Sequence, residues 1–233
     1  MLQLRTFGGL TLARGEEDLT GAATQRRRLA ILALLAVARE TGLSRDKLVA
    51  YLWPESDAER ARHVLNQLLY AQRRQFGEDG LFLGRKTLRL NAALIWTDVG
   101  SFEQALDAGA IQEGIVLYRG AFLDGFFLKE APEFERWVEE QRDRLARRMA
   151  SALATLAQQA TNAGDHRMAA NWWRRAGEID RYDSTTALAL VQSLAAAGDR
   201  AGALLAGRRH EEMLQELGVT PAQSFTEAMR RIR

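Results

Sequence analysis

The first forty residues change from an alternating pattern of apolar and polar positions to a helical pattern. From Gln3 to Ala13 the two kinds of residue alternate around Gly8-Gly9, which predicts two short strands joined by a turn. A loop is expected from Asp18 to Ala23. Residues 25–40 carry large apolar side chains on most faces, so they predict a helix that is mostly buried.

Two further helices are predicted after this one. Ser44 can cap a short helix that runs to Trp53, where Pro54 prevents its continuation. Ser56-Asp57-Ala58-Glu59 has the spacing of a capping box, and it predicts a longer helix that extends to about Phe76.

A small basic hairpin is predicted to follow the longer helix. Residues 81–83 and 87–90 have the pattern of two strands, and Gly84-Arg85-Lys86 lies between them. Strands, three helices and a hairpin in this order predict a winged helix-turn-helix. In that motif the second helix of the helix-turn-helix enters the major groove of DNA.

The rest of the chain predicts helices only. Residues 99–106 and 111–118 predict short helices, and Pro132 lies in the first turn of a long helix that ends near Gly164. Thr220-Pro221-Ala222-Gln223 has capping-box spacing, with proline at the first helical position, and predicts a closing helix.

An internal repeat lies in this helical part. Ala163-Gly164-Asp165 recurs as Ala197-Gly198-Asp199 at an offset of 34 residues, which is the period of tetratricopeptide repeats. The predicted fold class is therefore mainly α with a small β part. We expect a winged helix-turn-helix domain over residues 1–97 and an all-α, tetratricopeptide-like domain over residues 98–233.

The predicted helix from Asp57 to Phe76 has one apolar face and one basic, polar face. The basic face suits DNA, because arginine can pair with guanine, and asparagine or glutamine with adenine. Its candidate DNA-binding residues are Arg60, Arg62, His63, Asn66, Gln67, Tyr70, Arg73 and Arg74. We expect base contacts from His63, Asn66, Gln67 and Tyr70, and the arginines to be shared between bases and phosphates. The alternative is a charged face that is merely solvated.

Two other groups of cations are candidates for contacts with the DNA backbone. Arg85, Lys86 and Arg89 belong to the predicted hairpin, although a charged turn would have the same composition. Arg26 and Arg27, followed by Arg28, open the first long helix. A helix N-terminus favours anions, so cations there are out of place unless a phosphate or a nearby acidic side chain compensates them.

Composition excludes several other classes of protein. The 233 residues contain no cysteine, which excludes disulfides and thiolate metal sites and suits a cytoplasmic protein. The longest apolar run, Leu29–Ala38, is about half the length that spans a bilayer. Residues 1–97 carry 15 lysines and arginines against 10 acids, whereas the remainder carries 17 against 20. A basic first part and a slightly acidic second part are typical of two units with different partners.

No catalytic or cofactor motif is found. Residues 80–87 resemble a phosphate-binding loop, but the spacing is one residue short and Arg85 displaces the lysine. The three histidines lack the spacing of metal ligands. Trp172-Trp173 could mark a ligand pocket, although a buried aromatic pair between stacked helices is favoured. We therefore predict no enzyme, no cofactor and no metal.

Several segments together resemble the SARP-type (antibiotic regulatory protein) transcriptional activators, and the likeness covers nearly the whole chain. These segments are residues 25–35, Leu52-Trp53-Pro54 with Ala61-Arg62, residues 117–123 and Trp137-Val138-Glu139. The resemblance implies an OmpR-like winged helix joined to a bacterial transcriptional activator domain. It also implies binding to direct repeats in promoter DNA, often as side-by-side protomers, and recruitment of RNA polymerase.

The function expected from the sequence is sequence-specific DNA binding by a transcriptional regulator, an activator by resemblance. The alternative is a helical-repeat interaction or scaffold module whose winged helix docks protein instead of DNA. Salt distinguishes them, because duplex binding through several phosphates weakens strongly with salt and apolar docking does not.

Overall fold

The structure, a computed structural model, describes residues 1–21, 25–76 and 80–232. It divides into two compact units, Met1–Arg144 and Leu145–Arg233. The division lies well beyond the domain boundary expected after Thr97, because residues on either side of Thr97 pack together in the first unit. The assignment of separate functions to residues 1–97 and 98–233 stays a prediction.

Over its described residues the first unit contains two small sheets, five complete α-helices and a 3-10 helix at Arg39–Thr41. The strands are β1 (Leu2–Arg5), β2 (Thr11–Arg14), β3 (Glu17–Asp18), β4 (Leu43–Ser44), β5 (Phe82–Leu83), β6 (Thr87–Leu90) and β7 (Ile95–Thr97). The helices are α1 (Arg26–Ala38), α2 (Arg45–Leu52), α3 (Ala58–Phe76), α4 (Asp98–Asp107) and α5 (Ile111–Ile115). Helix α6 (Pro132–Asn162) begins in this unit and continues into the second.

The predicted strand pairs are confirmed, but each sheet is larger than the sequence indicated. β1 pairs with β2 and β5 pairs with β6, both antiparallel. β7 adds to β1 in parallel, and β3 adds to β2, so the first sheet has the order β3-β2-β1-β7. β4 adds to β6 in the second sheet. The loop expected from Asp18 to Ala23 thus begins within a strand, and its last two residues lie outside the described part of the chain.

The helices of the helix-turn-helix begin at specific side-chain caps. The Ser44 hydroxyl accepts a hydrogen bond from the Lys47 amide at 3.2 Å, as predicted for α2. At α3, the Asp57 carboxylate accepts bonds from the Glu59 and Arg60 amides, each at 3.0 Å. The cap is therefore Asp57, and the capping box that begins at Ser56 is wrong by one residue.

A buried carboxylate joins the first sheet to α4. Asp98 is 5% exposed and directly follows β7. Its oxygens accept hydrogen bonds from the Thr6 amide at 2.8 Å, the Thr6 hydroxyl at 2.6 Å and the Phe7 amide at 3.0 Å. Thr6 and Phe7 follow β1 directly, so Asp98 continues the parallel β1–β7 pairing with its side chain.

The segment after α5 also contacts the residues that follow β1. The Leu123 amide donates to the Thr6 carbonyl at 2.8 Å, and Gly8 lies against Gly120 so closely that a Cβ on Gly120 would be 2.9 Å from the Gly8 Cα. Glycine is required on both sides of this approach, because both residues also have positive φ. Arg142 of α6 donates to the carbonyls of Phe122 and Leu123, each at 2.8 Å.

The second unit consists of helices. After the end of α6 come α7 (His166–Ile179), α8 (Ser184–Ala196), α9 (Arg200–Glu216) and α10 (Gln223–Ile232). Asp165 caps α7 and Asp199 caps α9, which confirms that the repeated Ala-Gly-Asp sequences open equivalent helices. The closing helix begins at Gln223, two residues later than the predicted start at Pro221. None of the described helices is both long and apolar enough to cross a membrane.

We expect Asp98→Ala to destabilise the protein by about 3 kcal/mol or more, because it leaves buried amides at Thr6 and Phe7 without their acceptor. Asp98→Asn keeps one acceptor oxygen and should cost less. Urea denaturation followed by circular dichroism measures both. Asp143→Ala, at an exposed acid of α6, is the control, and an unfolding midpoint shared by Asp98→Ala and Asp143→Ala would contradict this role.

A histidine is buried where the second unit's helices meet. His210 is 4% exposed, its Nε2 lies 2.9 Å from the Ser184 hydroxyl oxygen, and its ring centroid is 5.1 Å from that of Phe225. Burial lowers the pKa of His210 below its ordinary value of 6.5. A hydrogen bond to the Arg181 backbone and the charges of Asp183 and Glu211 act in the opposite direction.

The lowered pKa makes the second unit sensitive to acid. The unfolded chain takes up the proton near pH 6.5 and the folded chain only at a lower pH, so stability is complete above pH 6.5 and falls as the pH falls through that value. One such proton gives a slope of at most about 1.4 kcal/mol per pH unit. We expect His210→Gln to remove this pH dependence of stability. Thermal unfolding measured between pH 7.5 and 5.5, about one unit on either side of pH 6.5, tests it. His166→Gln, the same replacement in the same unit, should retain this dependence.

Candidate nucleic-acid interface

Helix α3 presents one side to the core and the other to solvent. Its buried residues are Ala61, Leu65, Leu69, Gln72 and Phe76. Most of the residues predicted for DNA are exposed on the other side, and Tyr70 is 65% exposed. These exposed residues are Arg60, Arg62, His63, Asn66, Gln67, Tyr70 and Arg74. The helical period thus placed the two faces correctly, although Gln72 is a polar residue on the buried one.

Arg73 is the exception on this helix. It is half-buried, and its guanidinium carbon lies 6.0 Å from the ring centroid of Phe82 in the hairpin. The side chain therefore covers the junction between α3 and β5.

Several side chains on the exposed face of α3 contact one another or α2. Arg62 Nε lies 2.9 Å from the Asp46 carboxylate, in an ion pair whose side chains are 53% and 73% exposed. The Gln67 amide donates to His63 Nε2 at 2.8 Å. Exposed ion pairs of this kind contribute about 0–1 kcal/mol, so Arg62 can exchange Asp46 for another anion at little cost.

The hairpin after α3 presents Arg85 and Lys86 at an exposed tip. Gly84 precedes them with φ +87°, and a Cβ there would collide with the Thr87 carbonyl oxygen. Arg85 and Lys86 are exposed. Arg89 lies farther along β6 and is paired with Glu40 at 3.3 Å.

Arg45 links the hairpin to α3, a role that no sequence pattern indicated. Its Nε donates to the Arg85 carbonyl at 2.9 Å, and its Nη1 donates to the Asn66 side-chain oxygen at 2.6 Å. Its backbone amide donates to the Lys86 carbonyl at 3.3 Å. One residue at the start of α2 thus bonds to the hairpin tip and to the exposed face of α3. The β4–β6 pairing brings Arg45 to the hairpin, and the packing of α2 against α3 brings it to Asn66. Sequence periodicity reveals neither.

Arg26 and Arg27 lie elsewhere on the first unit. Arg26 Nη1 donates to the Phe127 carbonyl at 2.9 Å, and its guanidinium carbon is 4.9 Å from the centroid of the Phe127 ring. The Arg27 guanidinium carbon is 5.6 Å from the centroid of the Trp53 ring. Both arginines line a cavity beside Val64 and Leu68, on the half-buried flank of α3.

Trp172 and Trp173 in α7 are half-buried, whereas a buried pair was favoured from the sequence. Adjacent residues on a helix point about 100° apart, so both rings cannot face one apolar stripe. The Trp172 ring packs under the Arg175 guanidinium at 5.1 Å, and Trp173 lines a cavity of about 450 Å³ within the second unit.

Comparison with known families decides the class of this chain. Residues 89–233, more than half of the sequence, match the family described as "Bacterial transcriptional activator domain". The chain belongs to this family. Its members are transcription regulators and not a class of enzymes, which confirms the resemblance to SARP-type activators. A comparison with curated proteins finds no match.

A solved structure has the same fold over nearly the whole chain. EmbR of Mycobacterium tuberculosis, in complex with a low-affinity phosphopeptide, superimposes with a TM-score of 0.71 over 99% of this chain, at 20% sequence identity. This member of the activator-domain family spans 64% of the EmbR chain. The superposition includes residues before Arg89, where the family match begins, so it confirms the predicted mainly α fold with its small N-terminal β part.

We expect Arg45→Ala to loosen the hairpin, because it removes the bonds to the Arg85 carbonyl and to Asn66. Losing about 1 kcal/mol of local stability should raise amide hydrogen exchange in residues 84–88 roughly fivefold. Lys47→Ala removes an exposed cation from the same turn of α2 and serves as the control. Equal exchange in the two variants would show that the β4–β6 pairing alone holds the hairpin.

Proposed function

We propose that this protein is a sequence-specific DNA-binding transcriptional activator whose α3 enters the major groove. The observation that carries the proposal is the joint arrangement of the exposed face of α3 and the basic hairpin tip, connected through Arg45. A helix in the groove and a neighbouring hairpin on the backbone are the contacts that a winged helix makes with a duplex. The alternative is a basic face that is merely solvated, and the binding experiments below distinguish the two.

Phosphate contacts supply the affinity in this proposal. Arg60, Arg62 and Arg74 are exposed on α3, and Arg85 and Lys86 are exposed on the hairpin. Among the described residues, Asp46 is the one carboxylate that pairs with any of these five cations, and that pair is exposed and weak. Release of counterions from the duplex then drives binding and makes it depend strongly on salt. Arg89 would join these contacts by exchanging Glu40 for a phosphate.

Base contacts supply the specificity in this proposal, and the hydrogen bonds on the exposed face of α3 bear on which side chains would make them. Asparagine reads adenine in bidentate fashion only when both its oxygen and its amide are available. The Asn66 oxygen already accepts from Arg45, so Asn66 is suited to donating a single hydrogen bond from its amide. Gln67 and His63 bond to each other on the same face and would exchange that bond for base edges, and the exposed Tyr70 is a further candidate for reading bases. Arg73 is better placed to position the hairpin than to contact DNA.

The proposal gives the two parts of the chain different partners. Residues 1–97 contain every proposed DNA contact, and residues 98–233 would supply contacts with RNA polymerase and with neighbouring protomers on direct repeats. Family membership over residues 89–233 and the repeated helices after α6 support this half of the proposal.

Selection of bound duplexes from a random pool tests the DNA-binding part first. We expect an enriched motif made of a repeated half-site. Gln67→Ala should relax the base preference at one position of the motif by about 1–3 kcal/mol. Arg74→Ala and Arg62→Ala should instead weaken binding to all sequences, and each should reduce the slope of log affinity against log salt concentration by about one. Arg119→Ala, at an exposed arginine remote in sequence from α3 and the hairpin, is the matched control.

The salt dependence of binding separates this function from protein docking. Affinity for the selected duplex should fall by orders of magnitude between about 50 and 200 mM salt. Retention that is salt-sensitive but enriches no sequence would leave a nonspecific DNA binder. Wild-type affinity in both Arg62→Ala and Arg74→Ala would contradict the docking of α3.

A further inference from the structure

A cavity of about 540 Å³ lies beside α3 in the first unit. This volume is within the range of about 300–1,000 Å³ that small-molecule sites occupy. Its apolar lining comes from the α2–α3 connection, from α3 and from the segment before α6. The apolar residues are Trp53, Val64, Leu68, Phe127 and Leu128.

The polar lining of this cavity is cationic. Arg26, Arg27 and Lys129 line it together with Gln25, and none of the described lining residues is acidic. Among the described residues, no carboxylate forms an ion pair with any of these three cations. Arg26 and Arg27 instead bond to backbone carbonyls and lie over aromatic rings. The recorded partners of Arg26 and Arg27 are thus carbonyl oxygens and ring faces and not carboxylates.

We propose that this cavity binds an amphipathic organic anion, with an aromatic or aliphatic body and one carboxylate, sulfonate or phosphate group. The apolar body would pack on Trp53, Val64 and Leu68, and the anionic group would lie between Arg26, Arg27 and Lys129. Arg26 and Arg27 are the first two residues of α1, whose first turn contains no acidic residue, so the positive end of the helix dipole lies at these two cations. A DNA phosphate would satisfy the cations but leave the apolar lining without a partner.

The location of the cavity connects an occupant to DNA binding. Val64 and Leu68 lie one helical turn apart on α3, adjacent to the face that carries His63 and Gln67. An anion that contacts them directly would favour one position of α3 over another, and occupancy would change affinity for the duplex. This regulatory part rests on the proposed function, whereas binding of the anion does not.

A matched pair of dyes tests the site. The probes are 1-anilinonaphthalene-8-sulfonate and its uncharged counterpart N-phenyl-1-naphthylamine, titrated by fluorescence against the full chain. We expect the sulfonate to saturate at one molecule per chain. Arg27→Gln or Arg26→Gln should weaken the affinity for the sulfonate about tenfold, which is the effect of losing one charge-assisted hydrogen bond. In the same variants the affinity for the uncharged dye should change less than twofold, which is about the effect of small changes in packing. Arg119→Gln is the charge-matched control.

Val64→Phe, which fills the cavity, should weaken the binding of both dyes. Unfolding midpoints for every variant exclude dye binding to a loosened chain. The proposal is overturned if the sulfonate does not saturate, or if its affinity is the same in Arg26→Gln, Arg27→Gln and Arg119→Gln. It is also overturned if Arg27→Gln weakens duplex binding while leaving the dye unaffected, because the cation would then serve DNA. Dye binding that disappears as the protein dimerises would assign the cavity to a second copy of the chain.

A final arm separates the two proposals. With the selected duplex bound, the sulfonate should change duplex affinity and the duplex should change dye affinity by the same factor, as linkage requires. Dye binding without any duplex binding would overturn the DNA-binding function and leave the anion site standing. Both ligands binding with no mutual effect would overturn the regulatory part alone.

Discussion

The buried carboxylate of Asp98 is the interaction on which the first unit depends. Its donors, the Thr6 and Phe7 amides, are more than ninety residues earlier in the chain, and each follows β1 as directly as Asp98 follows β7. The side chain therefore completes a parallel strand pairing where the backbone has already turned into α4. The Leu123 amide bonds to the Thr6 carbonyl, so the segment before α6 is anchored at the same point. Without this acceptor, buried amides would lose their partner at the junction of the sheet with α4.

Arg45 has a comparable role at the proposed DNA-binding surface. A hairpin of two short strands is marginal in isolation, and here β4 and the Arg45 guanidinium tie it to the helix-turn-helix. The tie reaches Asn66 on α3, so the hairpin tip and the exposed face of α3 share one hydrogen-bonded residue. The proposed function assigns specificity to side chains of α3 and part of the affinity to the hairpin tip. Arg45, which need not touch DNA, links these two groups.

Local patterns predicted most of the helices, because hydrophobic periodicity and capping residues act over a few neighbouring positions. They also predicted the β1–β2 and β5–β6 pairs. They missed β3, β4 and β7, each two or three residues long, because such strands exist only through a distant partner. The starts of α3 and α10 were misplaced by one or two residues, since several neighbouring residues can serve as a cap and the surrounding contacts select among them.

The sequence by itself determined the order of the elements, the basic face of α3 and the repeated helices after α6. These features depend on the spacing of side chains along one segment. Only the tertiary structure decided what each cation does. Arg60 and Arg74 are exposed, Arg73 covers Phe82, Arg45 holds the hairpin, and Arg26 and Arg27 lie over the aromatic rings beside a cavity. A guanidinium takes the carbonyls, carboxylates and ring faces that lie within its reach, and those groups come from parts of the chain that no local pattern places together.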